Sequence, residues 1–200
     1  MCGGWACNCN EPKHFYKYKG KAIVERTVAL LHKYGVEDIA ITTSPHKVEM
    51  YSVFGVEVIP YEANNVPFEW IDAFYPTDEP TCYIFGDVVF SDNAIKTIVE
   101  TETDDIEFFA SAPPFAPEYP KKWAEPFAFK VADQKHFKQS IQTVRECKNQ
   151  HVWYRHPISW ELWQIVKMTP PNRIIYDNYV VINDYTCDVD SYGELEQWEK

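Results

Sequence analysis

Two hundred residues, 46% hydrophobic and 16% aromatic, suffice for one globular domain with a substantial core. A formal charge of -11 at pH 7 argues against a nucleic-acid partner, because a phosphate backbone needs a basic face. No run approaches the ~18 apolar residues of a membrane helix and no charged-then-apolar leader opens the chain, so a cytoplasmic, membrane-free protein is expected.

The chain opens on Gly3-Gly4, followed by Pro12-Lys13. Paired glycines let a backbone approach a ligand where any Cβ would collide, and their N–H groups suit an anion, phosphate above all. A fixed-φ proline followed by lysine sets a positive charge over the same phosphates. The plain alternative is a polar amino-terminal tail. Cys2, Cys7 and Cys9 match no zinc spacing, so they read as free thiols.

Apolar positions Ile23, Val24, Thr27, Val28, Leu30, Leu31 and Tyr34 recur at helical spacing over 21–34, and Gly35 stands at the C-terminal cap. Val36 to Thr43 carries a short apolar run suited to a parallel strand. Ser44-Pro45 reads as cap and first residue of a helix toward Phe54, which Gly55 ends; Val56 to Pro60 returns as a strand. Further on, 68–74 reads as helix, 81–85 as strand, a helix capped by Ser91 or Asp92 runs to Glu100, and 105–110 is a strand. The proline-rich 112–126 reads as an ordered loop or lid. Strand 127–131 and helix 132–147 follow. The aromatic-rich 150–173 fits a small subdomain, a dimer surface, or a peripheral hydrophobic cluster; a homodimer is thus one reading. Tyr179 to Ile182 is expected as the last strand and Ser191 to Trp198 as the last helix. The alternation of strand and helix with short connections predicts an α/β fold.

Several residues stand where chemistry would be placed. Asp87 directly follows Gly86 at the carboxyl end of an apolar strand, where open α/β sheets bind ligands and a carboxylate can hold Mg²⁺ against a phosphate. A turn-initiating aspartate is the plainer reading. Asp188-Val189-Asp190-Ser191 lies between the last strand and the last helix, so one carboxylate can cap while another meets a metal. Asn64-Asn65 offers donor and acceptor amides suited to a nucleobase edge, or to a turn. His14 reads as a surface histidine beside Lys13. The chain holds no G-x-S-x-G, no Walker A motif and no G-x-G-x-x-G, which argues against covalent hydrolases, P-loop NTPases and dinucleotide dehydrogenases.

Taken together these residues resemble the nucleotidyltransferases of the nucleotide-diphospho-sugar transferase superfamily, over nearly the whole chain. Gly3-Gly4 through Pro12-Lys13 is similar to the signature loop, and Gly20 to Thr27 to the segment after it. Gly35 to Ile39 resembles the next helix-to-strand junction. Gly86-Asp87 resembles the metal-binding aspartate after a central strand, and Asp188 to Ser191 with Glu194-Leu195 the closing acidic motif. Asn64-Asn65 is similar to the paired asparagines of the phosphocholine cytidylyltransferase branch. The chain departs from the pattern at Asn8, where the family's loop carries an arginine that meets the triphosphate, and in having only Met1 and Cys2 ahead of the glycine pair.

The resemblance implies a three-layer α/β/α sandwich with a mostly parallel mixed sheet, Rossmann-like, in a single domain over 1–200. It implies transfer of NMP from an NTP, CTP favoured by the asparagine pair, to a phosphorylated sugar or alcohol, with release of pyrophosphate. Gly3, Gly4, Lys13, Asn64 and Asn65 would bind nucleotide, with Lys13 also catalytic, and Asp87 and Asp190 would hold Mg²⁺. Two other readings go with the same resemblance: a glycosyltransferase using a nucleotide sugar, and an inactive nucleotide-binding relative, which Asn8 would suit.

Overall fold

A computed structural model describes residues 1–2, 12–62, 69–113 and 124–191, together with 193 and 195. After a single 3₁₀ turn at Lys13–Phe15, a short hairpin of β1 (Lys17–Tyr18) and β2 (Lys21–Ala22) leads into α1 (Ile23–Lys33). Then follow β3 (Ala40–Thr43), α2 (Val48–Tyr51), β4 (Glu57–Pro60), α3 (Glu69–Asp72), β5 (Thr81–Ile84), β6 (Val88–Val89) and α4 (Asp92–Glu100). The chain continues through β7 (Ile106–Ala110), β8 (Pro126–Val131), α5 (Gln134–Asn149), α6 (Ser159–Val166), β9 (Val180–Val181) and β10 (Cys187–Asp188). No helix among the described residues is long and apolar enough to cross a membrane.

The fold is α/β, and its main sheet is mixed, in the order β5-β8-β7-β9. Strands β7 and β9 are parallel, whereas β8 runs against both β5 and β7, so this sheet is mixed. Separately, β3 and β4 pair in parallel. The first two residues join these sheets. The Met1 ammonium donates to Ile84 O at 2.8 Å and Gly86 N–H donates to Met1 O at 2.9 Å, the alternation of a parallel ladder. On the other side, Cys2 N–H donates to Thr42 O at 2.8 Å. Beside this narrow joint, β3, β5 and α1 line a cavity of about 610 Å³.

Side-chain alternation along the strands feeds two apolar clusters. Ile106, Phe108 and Ala110 of β7 point with Phe129 and Val131 of β8 toward Phe137 and Val144 of α5 and Trp160, Leu162 and Trp163 of α6. Phe109 and Ala128 point the other way, and a bulge that leaves Phe127 as the extra residue of β8 brings it to the same side, toward Leu31 of α1 and Ala94, Ile95 and Ile98 of α4.

The helices start and stop as their residues dictate. Ser91 Oγ accepts from Ala94 N–H at 2.8 Å and Asp133 Oδ1 from His136 N–H at 2.8 Å, capping α4 and α5. Gly35 takes φ +80 after α1, a conformation that side chains disfavour. Ser44 makes no such cap, and the helix expected over 44–54 is a 3₁₀ turn, the single α-turn of α2, and a second 3₁₀ turn. Within 150–173, Tyr154 and Met168 are exposed, but the tryptophans are core residues. Trp160 and Trp163 are fully buried in the larger cluster, and their indole N–H groups donate to Ala124 O and Asp177 O, which removes the penalty for burying them. Beyond β9, β10 is a further strand, so Tyr179 to Ile182 is not the last one. The helix expected over 191–198 falls largely outside the described residues.

Candidate active site

Three segments far apart in the chain meet at the carboxyl end of β5. What brings them together is a small apolar cluster of Tyr16, Tyr18, Ile23, Val89, Val189 and Leu195, each almost fully buried. Tyr16 follows Lys13 by three residues, Val89 follows Asp87 by two, and Val189 immediately precedes Asp190. Burying these neighbours from water therefore pulls the three polar residues to one place. Pairing reinforces it: β10 runs antiparallel to β6 with Asp188 opposite Val88, and Val189 N–H donates to Asp87 O at 2.9 Å.

Lys13 Nζ lies 2.9 Å from Asp87 Oδ2 and 3.5 Å from Asp190 Oδ1. Its side chain is only 13% exposed, against 29% for Asp87 and 75% for Asp190. Burial by itself would lower the Lys13 pKa, but the carboxylates around it, Asp87 foremost, together outweigh burial and the net direction is upward. Burial likewise works to raise Asp87, and the Lys13 ammonium overrides it, so Asp87 is held below the usual carboxylate range. Both groups are therefore charged at neutral pH.

Two further acids crowd the same place. Burial, then Glu125, Asp190 and Asp87 in turn, push Asp188 up to about 8. Asp188 N–H also reaches Glu125 Oε2 at 3.4 Å. Among the described residues, Glu125, Cys187 and Asp188 bring ligand atoms within 4.8 Å of one another. Three aspartates thus crowd one ammonium, with Glu125 beside Asp188, an excess of hard oxygen donors of the kind a divalent cation such as Mg²⁺ takes. The donor set fits such an ion.

A buried polar pair supports Lys13 from behind. His14 is 3% exposed, so it is no surface histidine, and burial drives its pKa down to about 4. Its Nδ1 lies 2.8 Å from the Tyr51 hydroxyl, which also donates to Cys2 O at 3.3 Å. The neutral ring packs against Gly86, where an added Cβ would meet His14 Cδ2 at 3.0 Å, Met1 O at 2.6 Å and Cys2 Sγ at 2.3 Å. Only glycine lets the strand end pass so close to the first two residues. Cys2, Cys82, Cys147 and Cys187 are free thiols, and burial pushes Cys2 up to about 11.

Of the residues expected from the sequence, Lys13, Asp87 and Asp190 come together. Gly3, Gly4, Asn64 and Asn65 lie outside the described residues, as do Asn8, Cys7 and Cys9. Sequence reasoning missed Glu125 and Tyr51 and gave Asp188 no role of its own. Glu125 sits in a proline-rich segment with nothing local to mark it. For Asp188 the alternation with Asp190 around apolar Val189 was a usable signal, since i and i+2 share a face.

No protein-family model and no curated protein matches the chain. Solved structures do match its fold. A glucose-1-phosphate thymidylyltransferase assignment from Bacillus anthracis superposes with a TM-score of 0.63 at 13% identity, over 98% of this chain and 90% of that one. The inositol-1-phosphate CTP transferase from T. maritima gives 0.58 at 16% identity, over 100% and 94%. The 4-diphosphocytidyl-2C-methyl-D-erythritol synthase from Anaerococcus prevotii gives 0.58 at 11%, over 96% and 90%. At such identities the likeness is one of fold.

Proposed function

We propose that this chain, acting as a single three-layer α/β/α domain, is a Mg²⁺-dependent nucleotidyltransferase. It would transfer NMP from an NTP, CTP by preference, to a phosphorylated sugar or alcohol and release pyrophosphate. The observation that carries the reading is the meeting of Lys13 with Asp87 and Asp190 across a sequence separation of up to 177 residues. The fold shared with solved nucleotidyltransferases supports it.

In this reading Asp87 and Asp190 hold the metal, with Asp188 beside them, and Lys13 faces the phosphates. A bound Mg²⁺ supplies neutralisation of phosphate oxygens at the reacting centre and orients them. Lys13, kept protonated by its carboxylate neighbours, stabilises charge that develops on the α-phosphate and the leaving pyrophosphate. The acceptor phosphate is itself the nucleophile, so the protein need only position and compensate charge. Gly3, Gly4, Asn64 and Asn65 are proposed for the triphosphate and the base.

The test is thermal melting with CTP, UTP, GTP or ATP, with and without Mg²⁺, followed by pyrophosphate release with phosphorylated acceptors. A ligand that binds only the folded state raises the melting temperature by mass action. A Mg²⁺-dependent shift with CTP that Asp87→Asn abolishes is expected. No shift with any triphosphate, or an undiminished shift in Asp87→Asn, refutes the assignment.

A further inference from the structure

The contacts of Lys13 carry more than a catalytic role. Its ammonium sits against the two carboxylates proposed above for the metal. We propose that Lys13 is the resident counter-ion of this metal seat: in the nucleotide-free protein it occupies the place of the divalent cation, and it leaves Asp87 and Asp190 for the phosphates when a metal–nucleotide complex enters. The inference rests on the metal reading of Asp87 and Asp190.

Three observations support the exchange. First, geometry: an ammonium 2.9 Å from Asp87 Oδ2 and an Mg²⁺ at its usual ~2.1 Å from the same oxygen would stand within about 5 Å of each other, so both cations do not share the seat without strong repulsion. Second, enclosure: the Lys13 side chain is largely shielded from water and draws its compensation from the two aspartates, while its four-carbon stem lets the ammonium swing to a new anion at little cost. Third, charge: Asp87 and Asp190 set two carboxylates against one ammonium, which leaves the seat short of positive charge. An incoming metal compensates the carboxylates, and the phosphates it carries take over Lys13. Bare metal has to displace the ammonium without offering it a new partner. Metal affinity is therefore low until nucleotide arrives, which couples the two ligands.

The coupling is read without turnover. Mn²⁺ binding to the whole chain is measured by electron paramagnetic resonance in the absence of nucleotide, for wild type, Lys13→Met and Lys13→Met/Asp87→Asn, with circular dichroism as the check on folding. Lys13→Met is expected to bind Mn²⁺ at least tenfold more tightly than wild type, and adding Asp87→Asn to lose that gain. Equal or weaker binding by Lys13→Met overturns the exchange while leaving the metal site intact, provided Asp87→Asn still weakens it. Mn²⁺ affinity indifferent to Asp87 overturns both the exchange and the metal reading beneath it. A second measurement needs no variant: acetylation of Lys13 by acetic anhydride, followed by mass spectrometry, is expected to speed up severalfold on adding Mn²⁺ alone. An unchanged rate at saturating Mn²⁺ overturns the proposal.

Discussion

Gly86→Ala tests the joint on which the site hangs. The position has no unusual backbone angle to explain its glycine; the constraint is space. An alanine Cβ there would lie 2.6 Å from Met1 O and 2.3 Å from Cys2 Sγ. The thiol can rotate away, but the carbonyl is backbone and already accepts the Gly86 N–H at 2.9 Å. Relief requires Met1 and Cys2 to move off β5, and with them part of the link between β5 and β3. Overpacking of this kind costs about 1–3 kcal/mol, and the strained hydrogen bond about 1 kcal/mol more. The sum, about 2–4 kcal/mol, corresponds to a melting point lowered by roughly 5–15 °C in a chain of this size. Thermal and urea unfolding by circular dichroism measure it. Gly86→Ala/Cys2→Ala removes the closer contact but not the backbone one, so it is expected to recover less than half of the loss. A Gly86→Ala protein that melts within about 2 °C of wild type refutes the seating of the first two residues against Gly86.

Two further expectations concern pH. His14 is neutral in the fold with its pKa near 4 against an ordinary 6.5, so the unfolded chain binds the extra proton between these values. Stability from this group is complete above about pH 6.5 and is lost as pH falls toward 4, by up to about 3 kcal/mol; urea unfolding across this range should show the loss in wild type and not in His14→Gln, and parallel profiles contradict it. Asp188 is the opposite case. Its carboxyl keeps a proton in the fold up to about pH 8, so its contribution is complete below about pH 4 and is lost as pH rises through 8. Asp188→Asn, which cannot ionise, should therefore gain on wild type in melting temperature as the pH is raised from 5 to 9, and a pH-independent difference would show that Asp188 titrates normally.

What the sequence by itself determined were features written in neighbouring residues. The periodicity over 23–34 marked α1, Ser91 marked the start of α4, and Gly86-Asp87 marked the end of an apolar strand. Lys13, Asp87 and Asp190 could be singled out singly because proline before lysine, glycine before aspartate, and acids alternating around valine are local patterns. The tertiary structure alone decided that these three meet, because their meeting depends on Tyr16, Val89 and Val189 sharing one apolar cluster. It also decided that Trp160 and Trp163 belong to the core rather than the periphery, which a run of aromatics cannot announce, since the same rings suit an interface equally well. The burial of His14 and the crowding of Asp188 by Glu125 were invisible for the same reason. Burial and charge are properties of what lies alongside in space, and here those partners are 37 and 63 residues away along the chain.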